Sequence, residues 1–413
     1  MNFEAKLEKY AEVIVKVGLN VQEGQRLLIT VHDQGVELAR AVAKAAYQAG
    51  ARYVGVIYND IDIIKFWLQY GSEESLDEVL LDQMDLVGKY GRREDTILSI
   101  RGEDPNYLEG FNPIKVKKYQ QGRYQNMGAW LDLVQNDAIN WCGLMAPSKE
   151  YAAKLFPDAP EQEQLEKTWD LVFKMCRADG EDPVADWKAH TDKLAGWKDY
   201  LNAKEYTSLK FTGPGTDLTV GLPSGHVWRS AQFVSQAGVT FIANIPTEEV
   251  FTLTDRTRVN GIVRATKPLP LGGTFAENFS LTFKDGKVVE VKAEVGEDDL
   301  KNIIATDQGA GFTGEVALVP NSSPISQSGH IFYNITYDEN ASCHIALGNA
   351  YRFSLKGGKQ MSDEEFAAAG GNVSKLHLDF MLGSGEMDVD GIKQDGSSEA
   401  LMRAGEWAMD MHP

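Results

Sequence analysis

The sequence predicts two domains: an α/β domain over residues 1–200 and a mixed α+β domain over residues 201–413. The 413 residues exceed the length at which a single hydrophobic core keeps growing. Strand and helix patterns alternate in the first half of the chain. Beyond about residue 205 they give way to short strands separated by glycine-containing turns. The two patterns are typical of two different architectures, so we place the boundary near residue 200.

The first half begins with a helix and a βαβ unit. Phe3, Leu7 and Tyr10 recur at helical spacing. Residues 26–31 and 52–58 are predicted strands, and the alanine-rich segment between them is a predicted helix. Such a unit pairs its strands in parallel. The turn that follows the first strand, His32 to Gly35, lacks the glycine pattern of a dinucleotide site, so we expect an α/β scaffold here.

The rest of the first half continues the alternation. Residues 75–90 and 115–135 are predicted helices, and residues 96–100 and 138–145 are predicted strands. Residues 147–195 are helical in pattern, polar, and the predicted bridge between the domains.

The second half is predicted to be partly antiparallel. The segment Lys284-Asp285-Gly286-Lys287 lies between two apolar runs and indicates a hairpin. The clearest predicted strands are residues 209–212, 217–222, 240–244, 279–283 and 288–293.

Composition disfavours several classes of partner and of site. The formal net charge of −19 disfavours a nucleic acid or an anionic membrane as partner, because both would repel the chain. The three cysteines, Cys142, Cys176 and Cys343, form no C-x-x-C pair, which disfavours a disulfide framework or a thiolate metal site. No apolar run reaches 18 residues and the amino terminus lacks the apolar core of a signal peptide. We therefore expect a cytoplasmic protein.

A histidine and an aspartate project from one predicted strand near the carboxyl end. In the segment Leu376-His377-Leu378-Asp379-Phe380, His377 and Asp379 lie two residues apart and share a face. Together they offer nitrogen and oxygen donors to a divalent metal ion. Taken alone, the pair is better explained by a hydrogen bond between the two side chains on an exposed strand, so the metal site depends on partners elsewhere in the chain.

Two acidic segments upstream supply candidate partners. Glu248 and Glu249 follow a proline turn, and Glu315 lies in an otherwise apolar strand. A buried carboxylate is costly unless a cation compensates it. Arg256 or Arg258 would do this as an ion pair, and so would a metal ion, and the residues leave both explanations open.

Five residues together have the composition of a two-metal hydrolytic site. Three carboxylates and two imidazoles allow one carboxylate to bridge two ions while each ion gains further ligands. The five residues are Glu249, Glu315, His344, His377 and Asp379. The other histidines, at positions 32, 190, 226, 330 and 412, lack such surroundings and are predicted to be surface or core residues.

At these residues the chain resembles the aminopeptidase T-like metallopeptidases, a family that includes AmpS and PepS. The resemblance covers essentially the whole length and rests on several short blocks in the same order. These blocks are Gly215 to Leu218 with Pro223, Pro246 to Thr252, Arg256 to Gly261, Gly314 to Val319, His344 to Gly348 with Tyr351, and His377 to Gly383.

The resemblance implies a metal-dependent aminopeptidase that releases N-terminal residues from peptides. It implies two divalent ions per chain, zinc, cobalt or manganese, and a water activated between them. The family's metal ligands fall on the five residues above, and its active-site tyrosine falls on Tyr351. Glu248 is the adjacent alternative to Glu249. The resemblance also implies a homodimer.

The roles of the remaining groups stay open at this stage. Glu248 or Glu315 is the predicted proton shuttle. Tyr351 is predicted to donate a hydrogen bond to the tetrahedral oxyanion, or else to contact the metal. Arg256 and Arg258 are predicted to hold ligand carboxylates. The rival functions are another dinuclear hydrolase, such as an amidohydrolase or phosphoesterase, and a non-catalytic protein with a structural metal.

Overall fold

The computed structural model describes residues 2–271 and 275–409. His412, one of the histidines predicted to be a surface or core residue, lies outside these residues. The chain forms two compact units. The first contains Met1–His190 and Gln232–Pro246, and the second contains Thr191–Ala231 and Thr247–Pro413. The predicted layout of a scaffold domain and a catalytic domain stays a prediction.

Helices and strands alternate in the first half of the chain and are numbered in chain order. The helices are α1 Phe3–Val13, α2 Val36–Gln48, α3 Ile61–Tyr70, α4 Leu81–Gly91, α5 Pro113–Asn126, α6 Gly128–Gln135, α7 Lys149–Leu155, α8 Glu161–Met175 and α9 Pro183–Lys204. The strands are β1 Arg26–His32, β2 Tyr53–Asn59, β3 Thr96–Arg101 and β4 Trp141–Met145.

The second half contains mostly strands. They are β5 Ser208–Gly213, β6 Thr216–Gly221, β7 Gln232–Val234, β8 Thr240–Ile242, β9 Val250–Leu253, β10 Val259–Arg264, β11 Leu269–Pro270, β12 Phe275–Ala276, β13 Ser280–Lys284, β14 Lys287–Lys292, β15 Thr313–Leu318, β16 His344–Gly348, β17 His377–Met381, β18 Asp388–Ile392, β19 Ser398–Arg403 and β20 Glu406–Trp407. The helices are α10 Glu297–Ile304, α11 Pro324–Gln327, α12 Ile335–Glu339 and α13 Asp363–Ala368.

A four-stranded sheet of order β2-β1-β3-β4 forms the centre of the first unit, and all of its pairs are parallel. The predicted βαβ unit is confirmed, because β1 pairs in parallel with β2 across α2. Leu27, Leu28 and Ile29 on the central strand are almost fully buried. Burial on both faces is why this strand reads as a continuous apolar run.

Some predicted helices are divided in the structure. The segment 115–135 contains two helices, because the chain leaves helical geometry at Met127 with ψ near 5°. The segment 75–90 begins with a short 3-10 turn, and its α-helix starts at Leu81. The polar segment 147–195 contains α7, α8 and most of α9. Helical periodicity continues across such breaks, so the pattern by itself does not reveal them.

Two sheets organise the second unit. The larger has the order β14-β13-β10-β6-β5-β18-β19-β20 and its pairs are antiparallel. The predicted hairpin joins β13 to β14, with positive φ at Asp285 (49°) and Gly286 (83°). Such angles belong to the turn that matches the twist of a hairpin.

The smaller sheet has the order β17-β16-β15-β9, and its pairs are also antiparallel. The residues of β9, β15 and β16 are buried, including the polar ones. Buried polar groups in a core sheet need partners, which points to this sheet as the place of a site. The mixed helix and sheet composition of the predicted fold is thus present. Within the described residues, no helix has the length and apolar character needed to cross a membrane.

Candidate functional site

One face of the smaller sheet carries four of the predicted ligands. In an antiparallel sheet, residues that lie directly opposite each other project from the same face. Glu315 lies opposite Ala346, and Ala346 lies opposite Asp379. His344 precedes Ala346 by two residues, and His377 precedes Asp379 by two, so both imidazoles share that face. The strand register therefore assembles residues that are distant in sequence.

Small residues in the middle strand leave room for these side chains. To this face β16 presents the methyl group of Ala346 and the hydrogen atom of Gly348. Gly348 lies opposite His377 and has a φ of 95°. A Cβ at this position would lie 2.1 Å from the carbonyl oxygen of Leu376. Glycine is required here by both space and backbone conformation.

The candidate ligand atoms form two groups that share one carboxylate. Atoms of Glu249, Glu315 and His344 all lie within 4.8 Å of one another. Atoms of Glu315, His377 and Asp379 form the second such group. Glu315 belongs to both. The structure therefore brings the five predicted ligands together in two candidate ligand groups.

Both imidazoles are held through Nδ1. The Nδ1 of His344 lies 3.2 Å from the carbonyl oxygen of Ser342, and that of His377 lies 2.8 Å from the carbonyl oxygen of Asn349. A carbonyl oxygen only accepts, so Nδ1 is the donor and Nε2 of the neutral ring keeps its lone pair. This second contact is the one that orients a metal-ligating histidine.

Two carboxylate oxygens face the imidazole nitrogens at distances that leave room for a cation. Glu249 Oε2 lies 3.1 Å from His344 Nε2, and Asp379 Oδ1 lies 3.4 Å from His377 Nε2. Both oxygens are buried. Ring nitrogens and carboxylate oxygens that lie this close together on a buried face can bind a divalent cation between them, and this nitrogen and oxygen set suits zinc, cobalt or manganese.

Burial and charge shift the pKa values of this cluster. Burial raises the pKa of Glu315 to about 7, although the two nearby imidazoles oppose the shift. Burial lowers the pKa of His377, but the charges of Asp379 and then Glu315 outweigh it and bring the pKa to about 10. The pKa of His344 is likewise raised well above its usual range, because the neighbouring carboxylates outweigh burial. The metal-free cluster thus holds protons that a divalent cation would displace on binding.

A further acidic residue borders the cluster and was missed by the sequence analysis. Glu339 in α12 is buried, and its pKa is raised well above the usual range by burial and then by the charges of Asp379 and Glu249. The sequence contained a signal for it: the acidic pair Asp338 and Glu339 lies only a few residues before His344, in a segment that is otherwise apolar or uncharged. An acidic residue this close in sequence to a candidate ligand is itself a candidate member of the site, as Glu315 is.

Glu248, the predicted catalytic carboxylate, lies outside both ligand groups. Its side chain is buried, like that of the adjacent Glu249. Its backbone N–H donates to Asn340 Oδ1 at 2.6 Å, which joins the start of β9 to the end of α12. The geometry therefore favours Glu249 over Glu248 as the ligand at this point of the chain.

Tyr351 packs beside the cluster. Its ring stacks on that of Phe353 with centroids 5.0 Å apart, and lies 4.7 Å from the ring of His377. Burial raises the pKa of Tyr351 well above its usual range, and the charges of Glu315 and Asp379 add to the shift. The phenol is therefore neutral and keeps a hydrogen to donate.

The two arginines predicted to hold ligand carboxylates contact other groups. Arg258 Nε lies 2.7 Å from Asp255 Oδ2. The guanidinium of Arg256 lies 4.6 Å from the centroid of the Phe312 ring. In the described part of the chain, these contacts do not support the prediction that the two arginines hold the carboxylates of the candidate metal ligands. The groups that lie beside the buried carboxylates are instead the imidazoles of His344 and His377.

Comparison with known proteins gives a consistent family of matches. The family described as thermophilic metalloprotease (M29) matches residues 3–407. Aminopeptidase 2 of Geobacillus stearothermophilus is 40% identical over 409 residues, which cover 99% of both chains. Aminopeptidase T of Thermus thermophilus is 41% identical over 407 residues, covering 98% of this chain and 99% of that protein.

A solved structure agrees with these matches. The structure described as wild-type AmpT from Thermus thermophilus aligns with a TM-score of 0.93 at 39% sequence identity. The alignment covers 99% of this chain and 100% of that one. The fold described above is therefore similar to that protein's over its full length.

Proposed function

The chain belongs to the thermophilic metalloprotease (M29) family, and from this premise we propose that it is a metal-dependent aminopeptidase that uses two divalent ions. It is a hydrolase that acts as an exopeptidase, like the relatives that carry the name aminopeptidase. Its proposed substrates are peptides with a free N-terminus, and its products are free amino acids and shortened peptides.

One observation carries the two-ion proposal: Glu315 belongs to both groups of candidate ligands. In this proposal Glu249 and His344 complete one ion site, and His377 and Asp379 complete the other. When bound, the ions would polarise the scissile carbonyl and lower the pKa of a water toward neutrality. The chain's own contribution is to hold the donor atoms on a buried face where their geometry is fixed before substrate arrives.

The proposed proton carrier is a carboxyl group that is not used as a ligand. Because Glu315 is shared by both groups, its carboxylate is assigned to metal binding. Glu248 remains the proposed proton carrier, since it is buried next to Glu249 but lies outside the ligand groups. Glu339 is the second candidate, because burial and the surrounding carboxylates favour its protonated form. A carboxyl group that is positioned beside the metal ligands without binding a metal itself suits general acid–base catalysis.

Tyr351 is the proposed donor to the developing oxyanion. Its phenol is neutral, and its ring is fixed between Phe353 and His377. A donor that is oriented before the reaction stabilises negative charge as it forms on the carbonyl oxygen. Loss of such a donor lowers the rate without removing the metal.

The proposed setting is a cytoplasmic homodimer. The three cysteines are buried and free, which suits a reducing compartment. Several large apolar side chains on α3 are exposed, among them Ile63 and Tyr70. Light scattering should give a particle of twice the 45.6 kDa of the chain. A particle of single-chain mass at micromolar concentration would remove the dimer from the proposal.

The deciding experiment is cleavage of leucyl-p-nitroanilide by chelator-treated protein, before and after zinc, cobalt or manganese is added. We expect activity to return with metal and to disappear when the amine of the substrate is acetylated. p-Nitrophenyl phosphate is the control for a phosphoesterase. Protein that binds two ions per chain and leaves the anilide uncleaved with all three metals would contradict the proposal.

A further inference from the structure

A separate cavity lies in the first unit, at the carboxyl edge of its parallel sheet. Its lining comes from the carboxyl ends of the four strands and the segments that follow them: His32 at the end of β1, Asp62 after β2, Glu103 after β3 and Glu150 after β4. The cavity encloses about 70 Å³ of space that the centres of water molecules can occupy. None of its lining residues belongs to the ligand cluster of the second unit.

The strand order makes this edge a natural place for a ligand. From the central β1 the chain crosses to β2 on one side, and later returns to β3 on the other side. The loops after β1 and β3 therefore diverge and leave a crevice between them. In open parallel sheets, ligands bind in the crevice beyond the carboxyl ends of the strands at such a point.

His32 is the residue that points to a ligand. It is 3% exposed, and its Nε2 lies 2.7 Å from the carbonyl oxygen of Ala146. Because a carbonyl oxygen only accepts, Nε2 carries a proton, and in the tautomer that carries only this proton Nδ1 is an acceptor. That Nδ1 is buried and has no hydrogen-bond partner in the described structure. A buried acceptor without a partner is costly unless something donates to it.

The charges of the lining favour a cation. Five carboxylates line the cavity, and the one lysine among the lining residues, Lys65, lies 3.3 Å from Asp62 Oδ1. Four carboxylates remain beyond this pair, and they are Asp33, Glu103, Asp104 and Glu150. A phosphate or carboxylate ligand would be repelled by them.

The carboxylates are held in place by local contacts that leave capacity to bind. Glu150 accepts from Gln34 Nε2 at 2.7 Å, and Glu103 accepts from the backbone N–H of Gly102 at 2.9 Å. Asp104 accepts from a backbone N–H as well, that of Asn106. One hydrogen bond uses a small part of the acceptor capacity of a carboxylate, which has two oxygens.

The segments around the cavity are fastened to one another. The backbone N–H of Ser148 donates to the oxygen of Gly102 at 2.8 Å, and that of Ala146 donates to the oxygen of Arg101 at 2.7 Å. A Cβ on Gly102 would lie 2.1 Å from the oxygen of Ala146, so the two segments pass too closely for any other residue. The cavity is therefore formed in advance of binding.

We propose that this cavity binds a small cation that donates hydrogen bonds, either a hydrated divalent metal ion or a primary ammonium compound. Its space holds roughly five water molecules, at about 10–15 Å³ each. Among the described residues, the groups close enough to coordinate a bare ion lie elsewhere, in the second unit. The cation here therefore carries its own hydrogen-bond donors, and these bond to the carboxylates and the imidazole that line the cavity.

The test is calorimetric titration of the zinc-loaded protein with Mg²⁺ and, separately, with ethylammonium. Zinc loading keeps Mg²⁺ from the ligand cluster, because nitrogen-rich sites prefer zinc. The variants are Asp104→Asn, Glu103→Gln and His32→Gln. Asp104→Asn and Glu103→Gln, the two amide variants of carboxylates, keep the oxygen that accepts the local backbone hydrogen bond and lose only the charge. Glu37→Gln is the matched control, because Glu37 is an exposed carboxylate of the same unit that does not line the cavity.

We expect one of the two cations to bind, with affinity about tenfold or more weaker in Asp104→Asn and Glu103→Gln and unchanged in Glu37→Gln. Binding of Mg²⁺ alone identifies a hydrated metal ion, and binding of ethylammonium alone identifies an amine. Unchanged unfolding temperatures and unchanged cleavage of leucyl-p-nitroanilide show that the amide variants are folded. Absence of binding by both cations, or equal affinity in wild type and both amide variants, overturns the proposal.

Discussion

At the scale of residues, each imidazole of the candidate centre is paired with a backbone group that fixes the orientation of its ring. His344 and His377 each give Nδ1 to a backbone carbonyl, so that Nε2 faces the carboxylates. At His32 the roles of the two ring nitrogens are reversed. Nε2 contacts a backbone carbonyl oxygen, and Nδ1 has no hydrogen-bond partner in the described structure. In each case a carbonyl contact selects the tautomer and leaves one ring nitrogen for a ligand.

The substitution Tyr351→Phe tests the proposed oxyanion donor. We expect the variant to keep its metal content and to lose about 10²–10³ in kcat, the usual cost of one such donor. The KM for leucyl-p-nitroanilide should change far less, because the hydrogen bond forms with charge that develops during the reaction. Phe353→Leu is the control, since it alters the packing of the ring but removes no donor. An unchanged kcat in Tyr351→Phe would remove Tyr351 from the mechanism.

At the scale of elements, β16 determines how much space the centre has. Ala346 lies between Glu315 and Asp379 on neighbouring strands. In Ala346→Val, two added methyl groups enter the face that carries the ligands. Overpacking of a filled core costs about 1–3 kcal/mol. If that cost falls on the metal-loaded form, metal affinity drops by roughly ten- to a hundredfold, which competition with a chromogenic chelator measures.

A change on the opposite face of β16 is the control for this prediction. Ile345 alternates with Ala346 and projects away from the ligands. Ile345→Val should lower the free energy of unfolding by about 0.5–1.5 kcal/mol and leave metal affinity unchanged. Equal metal affinity in the two variants and the wild type would contradict the role assigned to Ala346.

Glu399 on β19 joins that strand to α9. It accepts from Lys204 Nζ at 2.6 Å and from the Tyr200 hydroxyl at 2.9 Å, and Lys393 Nζ lies 2.9 Å away. The contact with Lys204, then that with Lys393, lowers the pKa of Glu399 from 4.5 to about 2. A carboxyl group with a lowered folded pKa stabilises the fold above its unfolded pKa and loses this effect as pH falls toward the folded value.

We therefore expect the substitution Glu399→Gln to destabilise the protein near neutral pH. The difference in the free energy of unfolding between wild type and variant should shrink as pH falls from about 5 toward 2. Urea unfolding at a series of pH values measures it, and Glu290→Gln, at an exposed ion pair, is the control. A difference that stays constant over this range would contradict the assigned contacts.

At the scale of the whole molecule, ligand binding should act on the two units separately. The predicted two-ion centre lies entirely in the second unit, and the cation cavity lies entirely in the first. Ligands that bind only the folded state stabilise it in proportion to the logarithm of their concentration, about 4 kcal/mol at 1,000 times the Kd. Local stability then rises where the ligand binds.

Removal of zinc should therefore loosen one unit selectively. Hydrogen exchange in chelator-treated protein should accelerate in β15, β16 and β17 and stay unchanged in β1 and β3. The physical reason is that the metal-free carboxylates lose the cation that compensates their burial. Restoring zinc should reverse the effect. Equal acceleration in both units would indicate a structural change of the whole chain in place of a local one.

Much of the fold followed from local pattern. The βαβ unit, the Asp285-Gly286 hairpin and the strand that carries His377 were predicted close to their observed bounds, because periodicity and turn residues act within a few positions. The break at Met127 was missed, since one residue that leaves helical geometry does not disturb the apolar spacing. Glu339 was missed although the acidic pair Asp338 and Glu339 lies close to His344 in the sequence, because the burial of that pair depends on packing around α12.

The sequence by itself determined the types of donor and the strands that present them, because side-chain alternation along a strand is a local rule. It also indicated the family, through blocks of residues in a fixed order. Only the tertiary structure decided that Glu315 is common to both ligand groups, that the two arginines contact other groups, and that His32 lines a cavity. Convergence of residues from Glu249 to Asp379 is set by strand order and register, and these depend on pairings between segments far apart in the chain.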